Sequence, residues 1–121
     1  LQTVIERRDS SVPVASTLDE SDLLVVSSHN EGLTLTTLEA IAHGVPVIST
    51  DVGGQADVVP RWALVSRNPH RAVSGLARLI RVLHRDEEAR GRLWEAERTA
   101  ERTLLGHTSA SEWFSQEVSK W

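Results

Sequence analysis

Residues 23–50 read LLVVSSHNEGLTLTTLEAIAHGVPVIST, and the order of elements in this stretch indicates the fold class. It opens with a short apolar run rich in β-branched residues, residues 23–28, which predicts a strand covered on both faces. Apolar residues then recur at helical spacing: Leu35, Leu38, Ile41 and Ala42. Gly44 stands where that helix would end, and residues 46–50 predict a second buried strand. A strand, a helix and a strand within about thirty residues predict a βαβ unit with a parallel sheet and a right-handed crossover.

The rest of the chain is predicted to add one short strand and then only helices. Residues 63–65 predict the third strand. Three residues are placed to cap the later helices at their N-termini: Asn68, Asp86 and Ser109. Pro69 suits the first position of its helix, Gly106 suits the end of the next, and Glu112 completes a capping box with Ser109. We therefore expect an α/β fold, a partial Rossmann-like parallel sheet followed by C-terminal helices.

Apolar spacing also predicts which side of each later helix is buried. The first helix is expected to bury one stripe: Val73, Leu76, Ala77, Ile80 and Leu83. The second is expected to bury another: Leu93, Ala96, Ala100 and Leu104. The last carries three candidate core residues: Phe114, Val118 and Trp121. The other side of the second helix is dense in Arg and Glu, which predicts a solvated surface.

Composition excludes several classes of protein and site. The 121 residues include no cysteine, which excludes disulfide scaffolds and thiolate zinc sites. Thirteen Lys and Arg stand against seventeen Asp and Glu, so nucleic acid is not an expected partner. No apolar run is long enough to cross a bilayer, and a cytoplasmic protein is expected, with peripheral attachment to a membrane left open.

The order of elements along the chain suggests that these residues form part of a larger folded unit. The chain lacks methionine and begins at Leu1, and a short parallel sheet leaves open edges. We expect a single fragment, with a βαβ part over residues 1–67, a helical part over residues 68–121, and a partner in the missing N-terminal part of the same chain.

The loop between the first strand and the first βαβ helix carries the candidate site. Ligands of open α/β sheets bind outside the carboxyl ends of the strands, where Glu31 and Gly32 are expected. Gly32 allows a close approach to the backbone, and the amides of Leu33 and Thr34 begin a helix, which is a ready anion site. Glu39, flanked by apolar residues, is expected to be partly buried and to need hydrogen-bond donors such as sugar hydroxyls. Two carboxylates around an anion site fit a nucleotide sugar.

Three spaced motifs strengthen this interpretation. They are E-G-x6-E from Glu31 to Glu39, A-x-A-x-G-x-P-V-I from Ala40 to Ile48, and D-x-G-G-x-x-D from Asp51 to Asp57. Together they resemble the donor-binding segment of retaining GT-B glycosyltransferases, the large group that includes glycogen and sucrose synthases and bacterial mannosyltransferases.

The resemblance implies roles for five residues of the candidate site. Glu31 would be the catalytic residue, contacting the hydroxyls of the transferred sugar and supporting its oxocarbenium character. The backbone of Gly32, Leu33 and Thr34 would bind the diphosphate, and Glu39 would hold the ribose. The donor would be a nucleoside diphosphate sugar, the transferred group a hexosyl group, and the acceptor a sugar, a lipid or a small molecule. No metal ligand and no cofactor is implied, and the fragment alone is not expected to catalyse transfer.

Two other interpretations stay open. A GT-B-fold sugar-nucleotide epimerase would share the donor cleft without the transfer chemistry. A non-catalytic α/β interaction module would keep the fold alone. Without the flanking motifs, Glu31 would fit equally well as a carboxylate that stabilises the positive end of a helix.

Overall fold

A computed structural model of the chain describes residues 11–28 and 35–120. Helix α1 (Val14–Asp19) precedes strand β1 (Leu24–Val26), helix α2 (Leu35–Ala42) and strand β2 (Val47–Thr50). Two 3₁₀ turns, Gly53–Asp57 and Arg61–Ala63, lead into strand β3 (Leu64–Val65). The remaining elements are helical: α3 (Pro69–Arg85), α4 (Glu87–Leu105) and α5 (Ala110–Val118).

The described strands form one parallel sheet in the order β1-β2-β3, as the sequence predicts. Val25 pairs with Ile48, and Ser49 pairs with Leu64. All four residues of β2 are buried, which fits a central strand covered by helices on both faces. The expected full coverage of the first strand is wrong, because Val25 is 38% exposed. Successive side chains of a strand point to opposite faces, so the face of β1 that carries Val25 is partly open.

Helix α2 ends as predicted at Gly44, which has a φ of 82° that a side chain would disfavour. The amide of Val45 donates to the carbonyl of Ala40 at 2.9 Å, and the amide of Gly44 donates to that of Ile41 at 3.1 Å. This pair of bonds is a Schellman motif, which satisfies the last carbonyls of the helix. It turns the chain directly into the buried strand β2.

The predicted N-caps of the later helices are all present. The side chain of Asn68 accepts from the amide of His70 at 3.0 Å, and that of Asp86 accepts from the amide of Ala89 at 2.9 Å. Ser109 accepts from the amide of Glu112 at 3.2 Å. Gly106, with a φ of 63°, ends α4. Each cap satisfies an amide that the helix itself leaves free.

The predicted buried stripe of α3 is partly wrong. Val73 is 73% exposed and Ile80 is 37% exposed. The burial of Leu76 and Leu83 is confirmed, and with them the helix buries Ala72 and Leu79 of a neighbouring stripe. Both stripes repeat with a helical period, so spacing alone does not choose between them. Gly75 explains the choice, because a Cβ there would lie 2.9 Å from Cγ1 of Val65, and α3 therefore approaches β3 on that side.

Helix α4 also differs from its predicted pattern. Its buried residues include two carboxylic acids: Ala89, Leu93, Glu97 and Glu101. Ala96 is exposed, while Ala100 and Leu104 are only half-buried. The expectation that the charged side of α4 is solvated is therefore wrong at Glu97 and Glu101. The physical reason lies in the contacts of these two side chains, described below.

The last helix contributes less to the core than predicted. No residue of α5 is buried, and Val118 is 38% exposed, contrary to expectation. Phe114 is half-buried, and Trp121 lies outside the described residues. The half-buried side chains of Trp113 and Ala110 pack against the edge of the core. Helix α5 thus covers α2 from outside without entering the core.

Candidate functional site

The carboxyl ends of β1 and β2 lie side by side, as they must in a parallel pair. Ser28 follows β1, and α2 begins at Leu35. The predicted site residues Glu31, Gly32, Leu33 and Thr34 fall between these two points and lie outside the described residues. Their roles therefore stay predictions, and the structure describes what flanks them.

Glu39 lies in the second turn of α2 and is half-buried, as its apolar neighbours predict. Thr36 and His43, three residues before it and four after it, are exposed and share its side of the helix. Leu38 and Ala40 point inward and are completely buried. Among the residues that the structure describes, the carboxylate of Glu39 has no hydrogen-bond or ion-pair partner. It is thus accessible to a ligand that approaches this side of α2.

Four buried polar side chains form a network behind the start of α2. Nε2 of Gln55 donates to Oγ1 of Thr37 at 3.1 Å and to Oγ of Ser49 at 2.9 Å. The Ser49 hydroxyl donates to the carbonyl of Thr50 at 2.7 Å. The Thr50 hydroxyl donates to the carbonyl of Ser28 at 2.6 Å. Each of the four side chains is at most 1% exposed, so these bonds satisfy polar groups that water does not reach.

The glycine pair after β2 forms a turn. Gly53 has a φ of 49°, which favours glycine, and Gly53–Asp57 is a 3₁₀ turn. A cavity of about 430 Å³ lies beside this turn, with Asp51, Arg61 and Val59 among its lining residues. The positive φ of this residue therefore explains why glycine suits position 53.

Comparison with known proteins identifies the family. A model of the family "Glycosyl transferases group 1" matches residues 3–100, which is most of the chain. The chain belongs to the group 1 glycosyltransferases. The expected resemblance to GT-B enzymes is thereby confirmed.

The chain is also similar to two known proteins. A D-inositol 3-phosphate glycosyltransferase of Frankia alni is 33% identical over 105 residues, covering 66% of this chain and 26% of the relative. The solved structure of a sucrose-phosphate synthase from Thermosynechococcus elongatus superposes with a TM-score of 0.66 at 26% identity, covering 88% of this chain and 26% of that one. The present glycosyltransferase chain thus spans about a quarter of the length of either relative.

Two buried carboxylic acids of this glycosyltransferase chain lie on α4. Oε1 of Glu97 accepts the amide of Val47 at 2.7 Å, at the amino end of β2. Strand β3 begins opposite Ser49, so it leaves the Val47 amide without a strand partner, and Glu97 supplies the acceptor. Burial raises the pKa of Glu97 to about 9, with the Val47 amide acting in the opposite direction. Glu97 is therefore protonated at neutral pH.

The pKa of Glu101 is also raised by burial, although a hydrogen bond from Arg98 and the charges of Arg98 and Arg102 lower it again. Oε1 of Glu101 is bonded to Arg98. Within the described part of the chain, Oε2 of Glu97 and Oε2 of Glu101 are buried without a hydrogen-bond partner. Glu97 sits at the end of β2 opposite to Thr50, so it stabilises the fold and is not part of the candidate site.

Sequence reasoning missed the buried network and these acids. Ser49 and Thr50 end an otherwise apolar strand, and Gln55 follows two glycines. Polar residues in buried positions need hydrogen-bond partners, so this pattern was the available signal for the network. In residues 11–28 and 35–120, no group of three or more His, Asp or Glu side chains is arranged to hold a metal ion. In the same ranges, no helix is long and apolar enough to span a bilayer.

Proposed function

We propose that this chain forms the donor-binding part of a glycosyltransferase that moves a hexosyl group from a nucleoside diphosphate sugar to an acceptor, with retention of anomeric configuration. Membership of the family supports glycosyl transfer as the reaction class. Both relatives are named as enzymes that build sugar-containing products. The observation that carries the proposal for this chain is the half-buried carboxylate of Glu39 on the accessible side of α2, which has no partner among the described residues.

The helix start is proposed to hold the diphosphate. The first amides of a helix are not used within it, and together with the positive end of the helix dipole they favour an anion. The backbone of Gly32, Leu33 and Thr34 is proposed to supply these donors. No basic side chain and no metal ion is required for this interaction, which suits a chain of net charge −4.

Glu39 is proposed to hold the ribose. A carboxylate that is partly removed from water gains from accepting hydroxyl hydrogen bonds, each contributing roughly 1.5–3 kcal/mol when the acceptor is charged. The ribose carries two such hydroxyls. The side chain of Glu39 lies about one turn beyond the first residue of α2. With this spacing, the ribose and the diphosphate would bind at different points along the same helix.

Glu31 is proposed to position the transferred sugar and to support positive charge at its anomeric carbon. The acceptor oxygen would attack the face that the diphosphate leaves. The bond between the anomeric carbon and the diphosphate oxygen breaks, and that oxygen takes the acceptor proton, so no covalent intermediate on Glu31 is needed. The 121 residues alone are proposed to bind the donor without transferring it. A cytoplasmic location remains part of the proposal.

Thermal unfolding with nucleoside diphosphates tests the proposal. A ligand that binds only the folded state stabilises it by about 2.7 kcal/mol at a hundred times its Kd. We expect UDP, GDP or ADP to raise the melting temperature of the wild type, and Glu39→Ala to lose most of that rise. Glu95→Ala, an exposed glutamate on α4, is the control and should keep it.

Three outcomes would contradict parts of the proposal. If none of the three nucleotides stabilises the wild type, the donor site is wrong. If Glu39→Ala responds as the wild type does, the ribose assignment is wrong while donor binding stands. Conversion of a sugar nucleotide to an epimer, without transfer, would identify the epimerase instead.

A further inference from the structure

We propose that the outer face of α3 docks onto a membrane surface that carries negatively charged lipids. Exposed arginines and exposed apolar residues lie side by side on this face, and we call it the arginine face. Its members are Arg71, Arg78, Arg81 and Arg85, with Val73, Ile80 and Val82 beside them. The inference goes beyond the proposed function, because it concerns a surface of the molecule and does not depend on nucleotide binding.

Charge is distributed unevenly along the chain. Residues 58–85 contain six arginines and no Asp or Glu. The whole chain has thirteen Lys and Arg and seventeen Asp and Glu, so seven basic and all seventeen acidic residues lie outside this segment. The segment therefore carries a charge of +6 and the other residues a charge of −10. The net charge of −4 conceals a strongly basic region, and α3 forms most of it.

The arginines of α3 form one stripe along the helix. Arg71, Arg78 and Arg85 are seven residues apart, and Arg81 lies three residues after one of them and four before the next, so all four share one side. The stripe is about 21 Å long, since a helix rises roughly 1.5 Å per residue. The residues that α3 buries lie on another side: Ala72, Leu76, Leu79 and Leu83. The stripe thus faces outward from the core.

The described part of the chain supplies no counter-charge to this stripe. Within residues 11–28 and 35–120, the four guanidinium groups have no hydrogen bond and no ion pair. On α4, by contrast, Arg92 pairs with Glu88, and Arg98 pairs with Glu101. The arginines of α3 are therefore available to an external partner that carries negative charge.

The arrangement also disfavours the helix itself. The positive end of the helix dipole repels Arg71 in the first turn of α3, although the negative end favours Arg85 in the last turn. Like charges four residues apart, such as Arg81 and Arg85, repel each other as well. An anionic surface along the stripe would remove both effects.

Exposed apolar side chains border the stripe on both sides. Val82, which lies four residues after Arg78 and three before Arg85, is 53% exposed. Val73 and Ile80 are exposed on the other side, seven residues apart. The phosphates of a nucleic acid offer nothing to these apolar groups. A helix that lies in the plane of a membrane inserts such groups between headgroups and acyl chains, while arginine stems extend to keep their charges at the headgroups. These neighbours favour a lipid surface.

Vesicle flotation of the naturally expressed protein tests the charged part of the face. We expect the wild type to bind phosphatidylcholine vesicles that contain about 30% phosphatidylglycerol, and not vesicles of phosphatidylcholine alone. Salt at about 0.5 M should release it. Arg71→Gln combined with Arg78→Gln should lower the partition coefficient about 25-fold, or about fivefold for each arginine. The control combines Arg92→Gln with Arg102→Gln, which changes the net charge equally at two exposed residues of α4 and should keep binding.

A second variant tests the apolar part of the face. Val73→Ser combined with Val82→Ser keeps every charge and should lower the partition coefficient roughly tenfold, because less apolar surface leaves water on docking. The substituted side chains in all of these variants are exposed, so the melting temperature without vesicles should stay that of the wild type.

Several results would overturn the inference. A wild type that does not bind anionic vesicles would do so, and this includes the case in which another part of the chain covers α3. Equal losses in the two arginine pairs would indicate general attraction between charges, and unchanged binding of the valine variant would exclude contact with the acyl region. Stronger binding of duplex DNA than of vesicles, measured by fluorescence anisotropy, would identify a nucleic acid instead. Stabilisation by nucleoside diphosphates is measured separately, so failure of either proposal leaves the other intact.

Discussion

Glu97 shows how a single acidic residue can belong to the core. Its side chain is fully buried, it accepts the free amide of Val47, and burial raises its pKa to about 9. An unpaired carboxylate in this position would be costly, and the proton removes that charge. The residue therefore acts at neutral pH as a polar but uncharged link between α4 and the sheet.

This protonation makes stability depend on pH in a defined direction. Between the ordinary pKa of 4.5 and about 9, the folded state keeps a proton that the unfolded state has lost. The free energy of unfolding therefore falls as pH rises through this range, by up to about 1.4 kcal/mol per pH unit, and levels off above it. We expect Glu97→Gln to reduce this slope, measured by urea unfolding from pH 5 to pH 9.

Glu88→Gln is the matched control for that experiment. Glu88 lies on the same helix with a side chain that is 85% exposed, so its substitution should leave the slope of the wild type. Glu101 remains in both variants and contributes its own share, in the same direction. Equal slopes in Glu97→Gln and the wild type would show that Glu97 is ionised in the folded protein.

At the scale of elements, the glycines inside helices α3 and α4 differ in the packing around them. Gly75 lies where α3 approaches β3, and an added Cβ would be 2.9 Å from Cγ1 and 3.1 Å from Cβ of Val65. Val65 is buried and β-branched, so it has little freedom to move aside. Gly91, in α4, would place its Cβ in open space. The first glycine permits packing, and the second only weakens its helix.

The two alanine substitutions should therefore differ in sign. Gly91→Ala should stabilise the protein by about 0.5–1 kcal/mol, since alanine favours a helix more than glycine does. Gly75→Ala gains the same helix propensity, but overpacking against Val65 should make it destabilising by about 1–3 kcal/mol. Chemical denaturation of both variants measures this. Two stabilising substitutions would mean that α3 does not depend on close approach to β3.

At the scale of the whole molecule, the sheet and the C-terminal helices share one core. Leu83 of α3, Leu93 of α4 and Ile48 of β2 are all completely buried in the same cluster. The βαβ part and the helical part therefore stabilise one another. A change in the helices should be felt by the sheet that carries the candidate site.

This shared core distinguishes the two apolar sides of α3. Leu79→Ala, at a buried residue that the sequence-predicted stripe lacks, should destabilise the protein by about 2–5 kcal/mol, as large-to-small substitutions in a core do. Val73→Ala, at a residue that is 73% exposed, should change stability by less than about 0.5 kcal/mol. Thermal or urea unfolding of the pair checks this. A large loss in Val73→Ala would mean that the sequence-predicted stripe is the buried one.

The sequence was most informative where local chemistry determines structure. Asn68, Asp86 and Ser109 cap helices, and Gly44 ends one, because each interaction involves a few neighbouring residues. Periodicity did not determine the rotation of α3, which depends on the distant contact of Gly75 with Val65. The burial of Glu97 likewise depends on an amide fifty residues away.

For the candidate site, too, local features could be predicted from the sequence and long-range contacts could not. The spacing of its motifs is sufficient to indicate the family, and the partial burial of Glu39 follows from its immediate neighbours. The roles of Glu31, Gly32, Leu33 and Thr34 stay predictions. Gln55 was not predicted, because only the fold brings it to Thr37 and Ser49.

Trp94 gives this glycosyltransferase chain an optical probe. Its indole Nε1 donates to the carbonyl of Ile41 at 2.8 Å, near the last turn of α2, and the ring is half-buried. Indole emission responds to the polarity around the ring and to the loss of such a bond. A shift of α2 at its far end would therefore alter the fluorescence of Trp94, which can be observed separately once the other three tryptophans, Trp62, Trp113 and Trp121, are replaced by phenylalanine.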